Sequence, residues 1–176
     1  MGKHLLCVID DGAAALEDQL LWLSHAVIVV LVLLAVVFRY FVGDPLVWTE
    51  EFIIIVFSWM LFLGLASGFR QRMHLRIDAL LIVMPPKARM VLGVLATATT
   101  LATLGGLAWF GASQAFSLAD VQTPMMRISA AWAVTALPVG ALLGCLHIVR
   151  HAVCDGIGQT LWPADVVAAA VASEPS

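Results

Sequence analysis

Residues 52–69 read FIIIVFSWMLFLGLASGF, 18 consecutive positions without a charged side chain. A run of about 18–20 apolar residues, wound as a helix, crosses a hydrocarbon core roughly 30 Å thick. Three more charge-free windows, 19–38, 90–119 and 128–149, hold 20, 30 and 22 residues. Such windows form helices, because lipid offers backbone amides no partners and the windows exceed the length of barrel strands. They predict helices near 19–42, 46–69, 88–114 and 129–150 of the 176-residue chain, with tails over 1–18 and 151–176. The expected fold class is all-α: one integral membrane domain, 1–176, with four transmembrane helices.

Composition points the same way. The chain is 62% hydrophobic and 12% charged, with a mean hydropathy of +1.00. A soluble domain carries about 45–50% apolar and about 25% charged residues. That excludes a soluble enzyme, a nucleic-acid binder and a disordered tail, and makes the lipid bilayer the first partner. The net charge of −3 is scattered, so it suggests neither nucleic acid nor acidic lipid. Cys7, Cys145 and Cys154 are an odd number without metal-type spacing. The opening stretch does not read as a secretory signal, since its apolar run ends at Asp10 and Asp11. Leu6 stands where a myristoylation site needs Ser or Thr. Arg39, Tyr40 and Phe41 follow the first long apolar stretch in place of a small-residue cleavage site, so that stretch is expected to be retained.

The connections carry turn chemistry and charge. Gly43-Asp44-Pro45 separates the first two helices, with Asp44 placed to cap, Pro45 to fit a first turn, and Glu50 and Glu51 near the positive helix start. Pro85-Pro86 opens the third helix and Thr123-Pro124 precedes the fourth. The apolar run Ala79 to Met84 is too short to span and is expected to rest at the interface or pack on its neighbours. Lys3, Arg70, Arg72, Arg76, Lys87, Arg89 and Arg150, seven of the nine Lys and Arg, fall on the side of both termini. Only Arg39 and Arg127 fall on the other. The positive-inside rule then places both termini in the cytoplasm. All three cysteines would face that reducing compartment as free thiols. Trp22 marks the inner end, and Tyr40, Trp48, Trp109 and Trp132 the outer ends.

Helix 2 is the most informative segment. At 100° per residue, Trp48, Glu51, Ile55, Trp59, Phe62 and Ala66 share a face about 80° wide. Gly64 and Gly68 form a small-xxx-small pair on the opposite face, and Gly140 and Gly144 form another in helix 4. Small residues at that spacing let a second backbone approach closely, although such pairs also occur in membrane helices without that role. Helix 2 is therefore expected to have a protein neighbour against each face. If the glycine faces are used inside the chain, the Trp48/Glu51/Trp59 face is left for a partner. Glu50 and Glu51 read either as solvated dipole partners or as a polar anchor for another subunit. In the second reading Arg39 pairs with one of them across the outer turn, partly desolvated. His74 and Asp78 stand four residues apart in a basic inner connection and would share a helix face, too few ligands for a metal site. Pro138 is expected to remove one backbone bond and bend helix 4.

The order Arg39-Tyr40, Trp48-x-Glu50-Glu51, Trp59, Phe62-Leu63-Gly64, His74-x-x-x-Asp78 and Leu137-Pro138-x-Gly140 resembles the small membrane subunit of TRAP transporters, the DctQ-like family. The resemblance covers about residues 20–150 and leaves both tails unmatched. It implies a four-helix subunit, in the bacterial inner membrane, of a tripartite ATP-independent periplasmic system. A periplasmic solute-binding protein delivers a carboxylate-type solute, and the large membrane subunit moves it with a sodium gradient. By that resemblance this chain is a scaffold and part of the docking surface, with sodium and solute bound by the large TRAP membrane subunit.

The residues agree with a subsidiary role. Transporters place substrate and ion sites near the midplane on broken helices in repeats, and intramembrane charges mark ion pathways. No acid or base falls at the centre of helices 2, 3 or 4, no repeat is visible, and there is no nucleotide-binding loop or nucleophile–base arrangement, so neither an enzyme nor a bound cofactor is expected. Two other classes stay open. One is a haem-b electron carrier ligated by His25 and His147, whose depths differ by roughly 8 Å at 1.5 Å per residue. The other is a small oligomeric exporter, with Glu51 as its membrane acid.

Overall fold

The structure, a computed structural model, describes residues 2–71 and 86–151, with side chains over 12–71, 88 and 90–151. His74, Asp78, Cys154 and the run Ala79 to Met84 lie outside the described residues, as does the Cys7 side chain. The described chain is all-α. Helix α1 (Gly2–Val37) runs into a π-helical turn, Phe38–Val42, closed by Gly43 at φ 77°. It is followed by α2 (Trp48–Arg70), α3 (Pro86–Ser117), and α4 (Ala131–Val134) with α5 (Ala136–Arg150). Among the described residues, four segments are long and apolar enough to cross a membrane: Gly12–Val42, Trp48–Arg70, Met90–Ser117 and Ala131–Arg150.

Helix α1 extends well inward of the first charge-free window. Ala13, Ala14, Ala15, Leu16, Glu17 and Gln19 are strong helix formers, so the charge at Asp18 does not end it. The Gly43 cap is where a left-handed residue costs least. Asp44 does not take the capping place expected of it. Val47 is the N-cap of α2, without a side-chain cap; instead the Thr49 hydroxyl and amide both donate to the Leu46 carbonyl, at 2.5 and 3.2 Å. Pro86 opens α3, where its missing N–H costs nothing.

The interruption of the fourth span falls at Thr135, upstream of Pro138. Thr135 still donates to Ala131 and accepts from Val139, so the axis is nicked rather than cut. Pro138 is buried in the first turn of α5.

Helices α2 and α5 form the central pair; α1 packs on α2 and α3 on α5. In the absence of a hydrophobic drive between helices in lipid, close backbone approach supplies the packing. Gly140 supplies it here. A Cβ at Gly140 would lie 2.6 Å from the Phe62 carbonyl oxygen and 2.8 Å from the Phe62 Cβ. Gly144 lies under Phe69 and Leu104, and Gly111 of α3 under Leu137 and Pro138. Phe69, Leu104, Ala141 and Ile148 are the buried core of this junction. The flanks are open by comparison: none of the most apolar window of the α1 span is buried and 6% of that of α3, against 39% for Ala131–Arg150.

Candidate functional site

The charged side chains described in the four spans gather at two ends. At one end, the start of α2 meets both the α1–α2 and the α3–α4 connections. Glu50 accepts from Arg39 Nη2 at 2.8 Å, tying α2 back to the π-helical turn. Glu51 points the other way. Its Oε1 and Oε2 accept the backbone N–H groups of Met125 and Met126, both at 2.8 Å, in the loop between α3 and α4. Two successive amides aimed at one carboxylate form an anion-binding nest. The loop is further closed by Thr123 N–H to Ile128 O and Ala130 N–H to Val121 O, each 2.8 Å, with Arg127 at φ 52°. Ser129 Oγ donates to Ala119 O at 2.8 Å. Two turns further along α2 on the same face, Trp59 Nε1 donates to Trp132 O at 3.0 Å. The Thr135 hydroxyl reaches that same carbonyl at 3.1 Å, beside the nick in the fourth span.

The face of α2 expected to stand free is thus largely taken up inside the chain. Glu51 holds a loop, Trp59 a carbonyl, Phe62 lies under Gly140, and Ala66 is buried. Trp48 remains 42% exposed. The glycine face is the looser one: a Cβ at Gly64 would meet Leu21 of α1 at 3.8 Å, an ordinary contact. Helix 2 does have a neighbour on each face, α5 on one and α1 on the other. The Arg39–Glu50 pair is not desolvated by protein, its side chains being 56% and 63% exposed.

At the other end, α1, α2 and α5 meet through a cluster that the sequence reading missed. Glu17 and His147 are both fully buried, with His147 Nε2 3.0 and 3.2 Å from the two Glu17 carboxylate oxygens. Asp18 pairs with Arg70. Arg70 Nη2 also donates to Ser67 Oγ at 3.1 Å, and its backbone carbonyl lies 2.9 Å from His151 Nε2. The sequence marks Glu17 by no periodicity, since residues 20–38 are apolar almost throughout; only the buried face of α1 does. Residues 17, 21, 24, 28, 31, 35 and 38 form a stripe of buried or half-buried positions spaced three and four apart, and Glu17 opens it.

These contacts overturn the haem reading. His147 faces Glu17, and His25 is exposed with its Nδ1 bonded to Leu21 O of its own helix at 2.8 Å. Glu51, committed to two loop amides, is likewise no candidate for an exporter's membrane acid. Among the described residues, no group of three or more His, Cys, Asp and Glu could hold a metal ion. An apolar groove of about 560 Å³ opens between α2 and α3, lined in part by Leu65, Phe69, Leu95, Thr99, Thr103 and Leu107.

The family model for tripartite ATP-independent periplasmic transporters, DctQ component, matches residues 28–156. The chain belongs to that family. It is 28% identical over 104 residues to the sialic acid TRAP transporter small permease protein SiaQ of Vibrio cholerae, covering 59% of this chain and 60% of that one. It is 36% identical over 119 residues to the C4-dicarboxylate TRAP transporter small permease protein DctQ of Rhodobacter capsulatus, covering 62% and 49%. Against the corresponding DctQ protein of Vibrio cholerae the identity is 26% over 88 residues, covering 50% and 38%. The chain spans about half the length of the curated relatives it matches. As a DctQ-family protein with four spanning helices, it is a multi-pass protein of the bacterial inner membrane.

Proposed function

We propose that this chain is the small permease subunit of a TRAP transporter and acts as a scaffold for a large, sodium-coupled membrane subunit. One observation carries the reading beyond family membership. All four acidic side chains of the spans are engaged within the chain: Glu17 with His147, Asp18 with Arg70, Glu50 with Arg39, and Glu51 with the Met125–Met126 amides. A coupling ion needs an acid or a set of carbonyls that it can occupy. Each acid here is already answered within the chain, which supports the reading that sodium and solute are bound by the partner subunit.

The solute is of the carboxylate class, delivered by a periplasmic solute-binding protein. Sialic acid and C4-dicarboxylates, named for the relatives, share that group. Both termini lie in the cytoplasm, following the basic residues. The Arg39/Glu50/Glu51 end then faces the periplasm, with exposed Trp48 and the Glu51-held loop on the side from which a binding protein arrives. Gly140 and Gly144 serve the internal α2–α5 contact, with Pro138 at its head. Gly64 and Gly68 line the α2 face that carries α1. The open α2–α3 groove supports cover by a second integral protein. His74 and Asp78 remain family-motif positions whose proposed place is the inner interface.

Deletion of this chain from a strain that keeps the large subunit and the binding protein tests the proposal. Sodium-dependent solute uptake is expected to be lost and restored by supplying the chain in trans, and the large subunit is expected to copurify with it. Unimpaired uptake after deletion would refute the scaffold role.

A further inference from the structure

We propose that the membrane-spanning part of α1, Gly12–Val42, is an arm, hinged at its outer-turn end and held near its other end by the Glu17–His147 polar lock, rather than a fixed member of the core. Three observations meet in this assignment. The most apolar window of the α1 span has none of its residues fully buried, and its packing on α2 runs through a half-buried stripe that includes Leu21, Ile28 and Leu31. In lipid, helix association lacks a hydrophobic drive, and interhelical polar contacts carry a larger share. Among the described side chains of α1, from residue 12 on, the polar contacts with other helices are made by two neighbours: Glu17 against His147 of α5, both fully buried, and Asp18 against Arg70 of α2. Arg70 is itself tied to Ser67 and, through its carbonyl, to His151, so the lock grips both central helices. Removing one member of a buried acid–base pair costs the other a charge-assisted contact in a low-dielectric site, so the loss of Glu17 weakens the hold of α5 on α1.

The other end of α1 has the features of a hinge. Phe38–Val42 is a π-helical turn, and Gly43 follows at φ 77° with open space around the position of a Cβ. Local π-turns and left-handed glycines are where helices change direction at small cost. Glu17 and Phe38 lie about 32 Å apart at 1.5 Å per residue, one membrane thickness. The exposed Arg39–Glu50 pair straddles the hinge and marks how near the two helix ends lie, with no more hold on them than an open surface pair has. Glu17 and Asp18 precede residue 28, where the family match begins, so the lock is not a feature that the match brings with it.

The test uses the full chain in membranes, with Cys7, Cys145 and Cys154 replaced by Ser and two reporter pairs. Leu21→Cys with Gly64→Cys reports the lock end, where Leu21 already meets the Gly64 position at 3.8 Å. Arg39→Cys with Glu50→Cys, bridged by a bismaleimide, reports the hinge end. Glu17→Ala is expected to slow disulfide formation at the lock pair at least fivefold and to leave the hinge pair unchanged. Glu17→Gln, which keeps an acceptor for His147, is expected to stay within twofold of the parent. The exchange Glu17→His with His147→Glu is expected to recover most of what Glu17→Ala loses. Should Glu17→Ala not accumulate, the exchanged and Gln variants decide. Unchanged cross-linking in Glu17→Ala, equal loss at both ends, or an exchanged variant no better than Glu17→Ala would overturn the proposal.

Discussion

Replacing Gly140 by alanine probes the contact on which the subunit's shape depends. The new Cβ would sit 2.6 Å from the Phe62 carbonyl oxygen, about 0.9 Å short of a contact near 3.5 Å. The obstructing atom belongs to the backbone of α2, so no rotamer change relieves it and the two central helices must part. Overpacking of that kind costs about 1–3 kcal/mol, and a backbone obstruction belongs at the upper end. A loss of about 3 kcal/mol lowers the folded-to-unfolded ratio about 160-fold. Two other glycines calibrate the expectation. At Gly144 the obstruction is Phe69 Cδ2 at 3.1 Å, a ring that can tilt, so alanine there should cost less than about 1 kcal/mol. At Gly64 the nearest atom is Leu21 Cδ2 at 3.8 Å, so alanine should fall within about 0.5 kcal/mol of the parent. The helix-propensity gain of glycine to alanine applies to all three and cancels in the comparison. Unfolding in mixed micelles under SDS titration, followed by tryptophan fluorescence, measures the series. If Gly140→Ala and Gly64→Ala unfold together, α2 and α5 do not meet at Gly140.

Further predictions concern the end at which α2 begins. Glu51→Ala frees the Met125 and Met126 amides, which should lose hydrogen-exchange protection, whereas Glu51→Gln should retain part of it at one amide; unchanged protection in both would contradict the nest. Arg39→Ala and Glu50→Ala, alone or together, should change stability by no more than about 0.5 kcal/mol, because the pair is open; a double-mutant cycle with a coupling above about 1 kcal/mol would show it to be covered. Trp59→Phe should cost about 0.6 kcal/mol, since the Thr135 hydroxyl still reaches Trp132 O. Combining Trp59→Phe with Thr135→Val should exceed the sum of the two; strict additivity would separate them.

Charge-free length made the four spans legible, since no other signal in 176 residues is as physically constrained. The two-neighbour reading of α2 followed from its glycine spacing, yet spacing could not say that Gly140 meets backbone while Gly64 meets only a side chain. Asp44 reads as a cap because capping signals are local, but α2 begins at Trp48 with Val47 as its N-cap, and Thr49 closes that turn on the Leu46 carbonyl instead. Glu17 was lost for a different reason. A search for uncharged windows stops at the first acid, and the apolar run that follows shows no periodicity to mark the buried face that Glu17 opens. Glu51 was flagged as an anchor, but its partners are backbone amides of Met125 and Met126, which carry no side-chain signature. Gly111, wedged under Pro138, lacked a second glycine four residues away and so escaped the motif.

Proteoliposomes containing this chain alone, the large membrane subunit alone, or both, supplied with the loaded binding protein and an inward sodium gradient, test the central claim most directly. Solute should accumulate only where both membrane subunits are present. Accumulation with this chain alone, or at the full rate with the large subunit alone, would contradict it.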